Sequence, residues 1–126
     1  MKQGMNYVIG ALMGLCTGLV SGFFGVGGGI IMVPAMVWLF TPPIRDIKQA
    51  IGTSLVVIIP TALIGSMKHF AQGNIHWPTA LTLAPTAICG GFLGAWLTTA
   101  VSTGNLRRAF GGLLIAVGAY LLFQRP

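Results

Sequence analysis

The sequence predicts an all-α, polytopic transmembrane protein of about four hydrophobic segments, the first of them broken or re-entrant at a glycine-rich turn. Two observations carry this prediction. Only 6% of the 126 residues are charged, whereas roughly a quarter are charged in a typical soluble domain. The runs 3–44, 49–67, 69–106 and 109–124 contain no Asp, Glu, Lys or Arg, and a helix of roughly 20 apolar residues crosses a bilayer. The composition therefore excludes a water-soluble fold.

The first segment, Asn6–Phe40, is too long for one straight crossing. As a single helix it would measure about 50 Å, against a hydrocarbon core of about 30 Å. Four of the residues in Gly25–Gly29 are glycine, and each glycine costs about 1 kcal/mol inside a helix. We therefore predict a first helix that ends at Gly22, then non-helical backbone, and a second helix that starts at Gly29 or Ile30 and runs to the end of the segment.

Prolines mark further features of the helical segments. Pro34 falls early in the second helix, where its missing N–H is best tolerated, and Thr41–Pro43 should end that helix. Kinks are expected at Pro60 and Pro85 in the following segments. The remaining predicted helices are, in chain order, Gln49–Met67, Trp77–Val101 and Ala109–Phe123.

The basic residues lie singly or in pairs at the ends of the apolar runs, which is typical of headgroup anchoring in a lipid bilayer. They form no stripe and have no interleaved aromatic side chains, so no nucleic-acid partner is expected. If the first segment crosses fully, three basic residues share one side and four the other. If it returns as a re-entrant hairpin, the split is five to two, and the positive-inside rule favours this arrangement with a cytoplasmic N-terminus.

The glycine cluster is the sharpest candidate for a functional site. It lacks the spacing of a dinucleotide-binding turn and the Lys-Ser/Thr pair of a phosphate-binding loop. Irregular backbone in a membrane is tolerated where it lines a cavity, and a broken helix offers free N–H groups and a positive dipole end that suit an anion. A tight turn without any ligand is the alternative. The candidate substrate-binding residues in this cluster are Gly25, Gly27, Gly28 and Gly29.

Three polar side chains are further candidates for substrate binding. Thr53 and Ser54 begin the second segment, and their hydroxyls can bond either a substrate or their own helix backbone. Lys68 ends that segment and could attract an anion to a pore mouth, although snorkelling to the headgroups explains it without a function.

No catalytic, metal or cofactor site is expected. The sole acid, Asp46, lies beside Arg45 outside the predicted helices, and no nucleophile–base–orienter set is visible, so the sequence does not predict an enzyme. Cys16 and Cys89 lie inside apolar runs without metal-ligand spacing, and we interpret both as small buried hydrophobic residues.

Two motifs together resemble a known family. Gly22-Phe-Phe-Gly-Val-Gly-Gly-Gly-Ile-Ile-Met-Val-Pro34, followed by Ala50-Ile-Gly-Thr-Ser54, is similar to the pattern of the TauE/SafE family of sulfite exporters. The resemblance is strongest over the first half of the chain. It implies a multi-pass transporter of sulfite or related organosulfur anions in the cell membrane, the bacterial inner membrane being expected, and it implies export as the direction. The residues that match the two motifs are Gly25, Gly27, Gly28, Gly29, Pro34, Gly52, Thr53 and Ser54.

Family members usually carry two related halves, each with such a glycine motif, and this sequence shows one copy. The resemblance thus implies a half-length member in which residues 1–126 form a single transmembrane domain, one repeat of a two-repeat transporter fold. A homodimer, parallel or inverted, or a heterodimer with a sister half would complete the pathway. Helix faces for close packing are indicated by two spaced sets of small residues, Gly10, Gly14, Gly18 and Gly22, then Gly90 and Gly94. The alternative is a non-transporting membrane subunit or scaffold whose glycine motifs serve packing alone.

Overall fold

The structure, a computed structural model, describes residues 2–40 and 44–124, and every regular element within them is an α-helix. Four of these helices are long and apolar enough to cross a membrane, and a shorter apolar helix lies between the first and second of them. The predicted all-α fold with four hydrophobic segments is confirmed. The helices are α1 (Lys2–Phe24), α2 (Gly29–Leu39), α3 (Ile47–Ala71), α4 (Trp77–Ala100) and α5 (Thr103–Phe123).

The first hydrophobic segment is broken at its glycine cluster, as predicted. α1 continues to Phe24 instead of ending at Gly22, because the Gly25 N–H still donates to the Ser21 carbonyl oxygen at 2.8 Å. Residues 25–28 are non-helical, and α2 begins at Gly29. Its 11 residues span about 16 Å, half of a hydrocarbon core of about 30 Å. The segment is therefore one helix long enough to cross and one half-length helix.

Prolines lie within three of the helices. Pro34 is the sixth residue of α2, which begins at Gly29 as predicted. Helices α3 and α4 continue through Pro60 and Pro85 without interruption. The predicted helix stop at 41–43 lies outside the described residues.

Two helices are longer than predicted because of polar caps. α3 starts at Ile47, since the Asp46 carboxylate accepts a hydrogen bond from the Lys48 N–H at 3.1 Å. It also runs on to Ala71, beyond the predicted end. α5 starts at Thr103, after a Ser102 N-cap, so that the following basic residues lie inside the helix rather than before it. The predicted segments followed the charge-free runs of the sequence, whereas the observed helix starts follow the N-cap residues Asp46 and Ser102.

The unit of the chain up to Leu81 contains the buried core, and in it α1, α2 and α3 all contact one another. α2 is the most buried helix, because its short apolar length packs against α1 on one side and α3 on another. The buried apolar side chains are Met32, Val33 and Met36 of α2 with Ile47 and Ala50 of α3. Three polar side chains of the same unit are also buried: Thr17, Ser21 and Ser54.

The unit from Thr82 onward comprises most of α4 and all of α5. None of the residues of either helix is buried. Large apolar side chains such as Phe92, Trp96 and Leu121 are exposed by more than half of their surface. In a membrane such surfaces are covered by lipid or by further helices.

Candidate functional site

The turn between α1 and α2 depends on glycine. Gly25, Gly27 and Gly28 have φ angles of 67°, 72° and 71°, in the left-handed region that a residue with a Cβ rarely adopts. Among the described residues, the N–H groups of Val26, Gly27 and Gly28 donate to no carbonyl oxygen. The turn therefore presents unpaired backbone donors at the start of α2, where the helix dipole is positive.

Gly28, the residue just before α2, packs closely against α1. A Cβ added to Gly28 would lie 3.2 Å from the Thr17 carbonyl oxygen and 3.4 Å from the Ser21 Cβ. Gly28 precedes α2 without any side-chain cap. The Thr17 hydroxyl bonds the Met13 carbonyl oxygen at 2.8 Å, so its donor is satisfied within α1. Gly28 thus serves close packing, and the absence of a side chain there is a structural requirement.

The structure brings Gly29 next to Ser54. The Ser54 Oγ lies 3.9 Å from the position of a Cβ on Gly29, and only 2% of the Ser54 surface is exposed. Ser54 donates to the Ile51 carbonyl oxygen at 2.8 Å. Thr53, by contrast, is exposed and donates to the Gln49 carbonyl oxygen at 2.7 Å. Both hydroxyl hydrogens are therefore directed to the helix backbone, and Ser54 alone of the two lies beside the turn.

A cavity of about 270 Å³ lies between the glycine turn and the C-terminal half of α3. It has room for a small oxyanion with several waters, since a water molecule takes about 30 Å³ in the liquid. Of the predicted site residues, Gly25 and Gly27 line it. Gly28, Gly29, Thr53, Ser54 and Lys68 do not, and Lys68 is exposed at the end of α3. The lining residues are Ser21, Gly22, Gly25, Gly27, Thr61, Ala62, Gly65, Ser66, His69 and Ile75.

His69 is the ionisable side chain of this lining. It is half-buried, and its Nε2 lies 3.4 Å from the Gly22 carbonyl oxygen near the end of α1. A carbonyl oxygen accepts, so the tautomer with hydrogen on Nε2 makes this contact. Through this contact His69 joins the end of α3 to the end of α1 across the cavity. Thr61, another lining residue, donates its hydroxyl hydrogen to the Val57 and Ile58 carbonyl oxygens at 3.1 and 3.0 Å.

The α3 residues of the cavity were not among the predicted site residues. The sequence contains a periodic pattern that points to this face of α3. Its members follow one another at intervals of three or four residues: Ser54, Ile58, Thr61, Gly65 and His69. Such spacing places them on one helix face. Small and hydroxyl side chains on a single face of an apolar helix mark the face directed towards protein or a cavity rather than lipid.

The interpretation of the cysteines as buried was wrong, since Cys16 and Cys89 are both exposed free thiols. The neighbouring Thr17 is buried on the side of α1 that packs against Gly28, and adjacent helix residues point in different directions, so Cys16 is directed away from the packed side. Within the part of the chain that the structure describes, no group of three or more His, Cys, Asp and Glu side chains could hold a metal ion.

Comparison with known proteins decides the family. The profile of the "Sulfite exporter TauE/SafE" family matches residues 10–126. The chain belongs to the TauE/SafE family. It is 36% identical over 117 residues to the probable membrane transporter protein YunE of Bacillus subtilis, covering 92% of this chain and 41% of the relative. A probable membrane transporter protein of Xylella fastidiosa is 35% identical over 112 residues, covering 87% of this chain and 42% of that protein. No solved structure matches the chain.

The TauE/SafE assignment confirms the resemblance read from the glycine motifs and extends it to nearly the whole chain. With four helices able to span a membrane, the chain is a multi-pass membrane protein of a transporter family. It spans about two-fifths of the length of the curated relatives that it matches.

Proposed function

We propose that the chain acts in a membrane transporter that exports a small anion, such as sulfite or a related organosulfur anion. The observation that carries the proposal is the broken helix pair α1–α2, whose glycine turn borders a cavity between apolar helices. Helices broken within a membrane are the usual place where transporters bind their substrates. The protein moves its substrate without chemical change, so it is proposed as a transporter and not as an enzyme.

The charge of the site favours an anion over a cation. The start of α2 offers backbone N–H groups and a positive dipole end. No carboxylate lines the cavity among the described residues, and Asp46, the sole acid of the sequence, caps α3 instead. A cation in this apolar setting would find no charge to compensate its own.

The proposed binding residues have different roles. The turn residues Gly25 and Gly27 border the cavity and would contact the anion through their backbone. Gly28 and Gly29 hold the start of α2 against α1 and α3, so that the N–H groups are presented at a fixed position. Ser54 would support Gly29 from α3. Two exposed side chains, Thr53 and Lys68, would act at the entrance, Lys68 by attracting anions from solution.

We further propose that the chain supplies one of two repeats and that the complete pathway forms with a second copy or a sister half. A transport pathway must be shielded from lipid on every side, and α4 and α5 have no buried residue in the single chain. The relatives are more than twice as long as the part that this chain matches. Open space surrounds the Cβ positions of Gly14, Gly18 and Gly22, which allows another helix to approach.

Cross-linking in native membranes followed by mass measurement tests the assembly. A product of twice the chain mass is expected for a homodimer, and a product of a different mass that contains a second polypeptide is expected for a heterodimer with a sister half. A monomer that transports on its own would contradict the two-repeat proposal. Labelling of a single-cysteine variant, Thr103→Cys with Cys16 and Cys89 replaced by serine, from each side separately then distinguishes the two arrangements: inverted copies react from both sides and parallel copies from one.

Flux through the purified protein tests the function. Liposomes are loaded with sulfite, and its release is compared between vesicles with the protein and vesicles without it. Faster release from the protein-containing vesicles, with saturation at high sulfite, is expected. Release no faster than from empty liposomes would favour the alternative, in which the glycine motifs serve only helix packing in a membrane subunit or scaffold.

A further inference from the structure

We propose that His69 contacts the transported anion in its protonated form, so that one proton and one anion enter the cavity together. This inference rests on the proposed function and goes beyond it, because it names the coupling ion and the residue that carries it. The structural observation is the position of His69. Its side chain belongs to the α3 wall of the cavity, and its Nε2 contacts the carbonyl oxygen of Gly22 in the α1 wall.

The Gly22 contact determines what each protonation state of His69 can offer. In the neutral imidazole, one ring nitrogen carries hydrogen and the other is an acceptor. While the Nε2 hydrogen is directed to Gly22, the neutral ring has only a bare Nδ1 left, which repels an anion. Protonation adds a hydrogen to Nδ1. The imidazolium can then keep its hydrogen bond from Nε2 to the Gly22 carbonyl oxygen and donate a second, charge-assisted hydrogen bond from Nδ1 to an anion.

His69 is the only ionisable side chain among the described residues that line the cavity. The other lining residues are glycine, alanine, isoleucine and residues with hydroxyl side chains. Lys68, the next residue along α3, is exposed and outside the lining. His76 is also outside it, with its Nδ1 2.7 Å from the Thr79 hydroxyl oxygen. Neither basic neighbour takes the place of His69 within the cavity.

Charge compensation then links the proton to the anion. A single charge in an apolar cavity is costly, whereas an imidazolium and an anion neutralise each other. Each should therefore bind more tightly when the other is present, by the same factor. No covalent bond changes in this step: a proton from the loading side binds Nδ1, the anion pairs with it, and both leave on the far side. Histidine suits this role because it gains and loses its proton near neutral pH.

Sulfite binding to the purified full chain in detergent, at two pH values, tests the proposal. Sulfite itself takes up a proton in this range, so each measurement is expressed as the ratio of variant to wild-type affinity at the same pH. His69→Gln retains an N–H for the Gly22 carbonyl but cannot be protonated. We expect it to bind sulfite roughly tenfold more weakly than wild type at about pH 6, but within about twofold at about pH 8. His76→Gln is the matched control, and its sulfite affinity should equal that of wild type at both pH values.

A second variant keeps the test independent of how well His69→Gln folds. His69→Lys places a permanent positive charge at the same site, so its affinity relative to wild type should rise with pH as the wild-type imidazole loses its proton. A ratio for His69→Gln that is the same at both pH values would overturn the proton-coupling role and leave the proposed function intact. Absence of sulfite binding to the wild-type protein at both pH values would overturn both.

Discussion

Alanine substitution at two glycines of the turn distinguishes the energetic cost of a strained backbone from the cost of crowding between helices. Gly25 and Gly28 share a left-handed φ, so a Cβ at either costs about 1–2 kcal/mol. At Gly25 the added atom meets nothing within 4 Å, whereas at Gly28 it lies 3.2 Å from the Thr17 backbone oxygen. That oxygen belongs to the interior of α1 and cannot move alone. Overpacking of this kind costs about 1–3 kcal/mol more, so Gly28→Ala should lose roughly 2–5 kcal/mol in total.

Thermal unfolding in detergent measures the difference. With about 4 °C per kcal/mol for a chain of this size, Gly28→Ala should melt about 4–12 °C below Gly25→Ala. Gly118→Ala is the control, because Gly118 lies within α5, has no left-handed φ and has open space around its Cβ position. It should melt at or above wild type, as alanine is the better helix former. Equal melting of the Gly25 and Gly28 variants would refute the close approach of α1 and α2.

Further predictions concern caps and packing on α3 and α5, all measured by the same melting assay. Asp46→Ala should cost about 1 kcal/mol by removing the hydrogen bond to the Lys48 N–H, and Asp46→Asn should retain most of it; equal loss in both would contradict the cap. Ser102→Ala should cost less, because its contact with the Asn105 N–H is longer at 3.5 Å. Ser54→Leu should lose about 1–3 kcal/mol against Gly29, while Ser54→Ala should lose under about 1 kcal/mol; tolerance of leucine would contradict the burial of Ser54.

The helical segments could be predicted because hydropathy and charge alone decide what enters a membrane. The break in the first segment could be predicted as well, since three of the four left-handed glycines among the described residues fall within Gly25–Gly29. The exact ends of the helices were harder to predict from the sequence. The cap by Asp46 lengthened α3 and that by Ser102 lengthened α5, and both depend on a single hydrogen bond rather than on the hydrophobic run.

The candidate site could be predicted only in part, for a geometric reason. The turn is local in sequence, so its glycines were identified. The wall opposite to it belongs to α3, more than 30 positions further along, and the face of α3 that meets the turn is a matter of tertiary packing. Adjacent residues on a helix point about 100° apart. Thr53 and Ser54 therefore cannot share a face, and likewise His69 lines the cavity while Lys68 is exposed.

The most direct test of the central claim, that the transported anion passes the cavity beside the glycine turn, is a matched pair of valine variants in the sulfite-release assay. Gly25 and Gly73 have nearly the same φ, 67° and 72°, and open space around both Cβ positions. Only Gly25 lines the cavity. Gly25→Val should therefore lose most of the sulfite flux, and Gly73→Val should retain it, when equal amounts of folded protein are reconstituted. Equal flux in the two variants would contradict the claim.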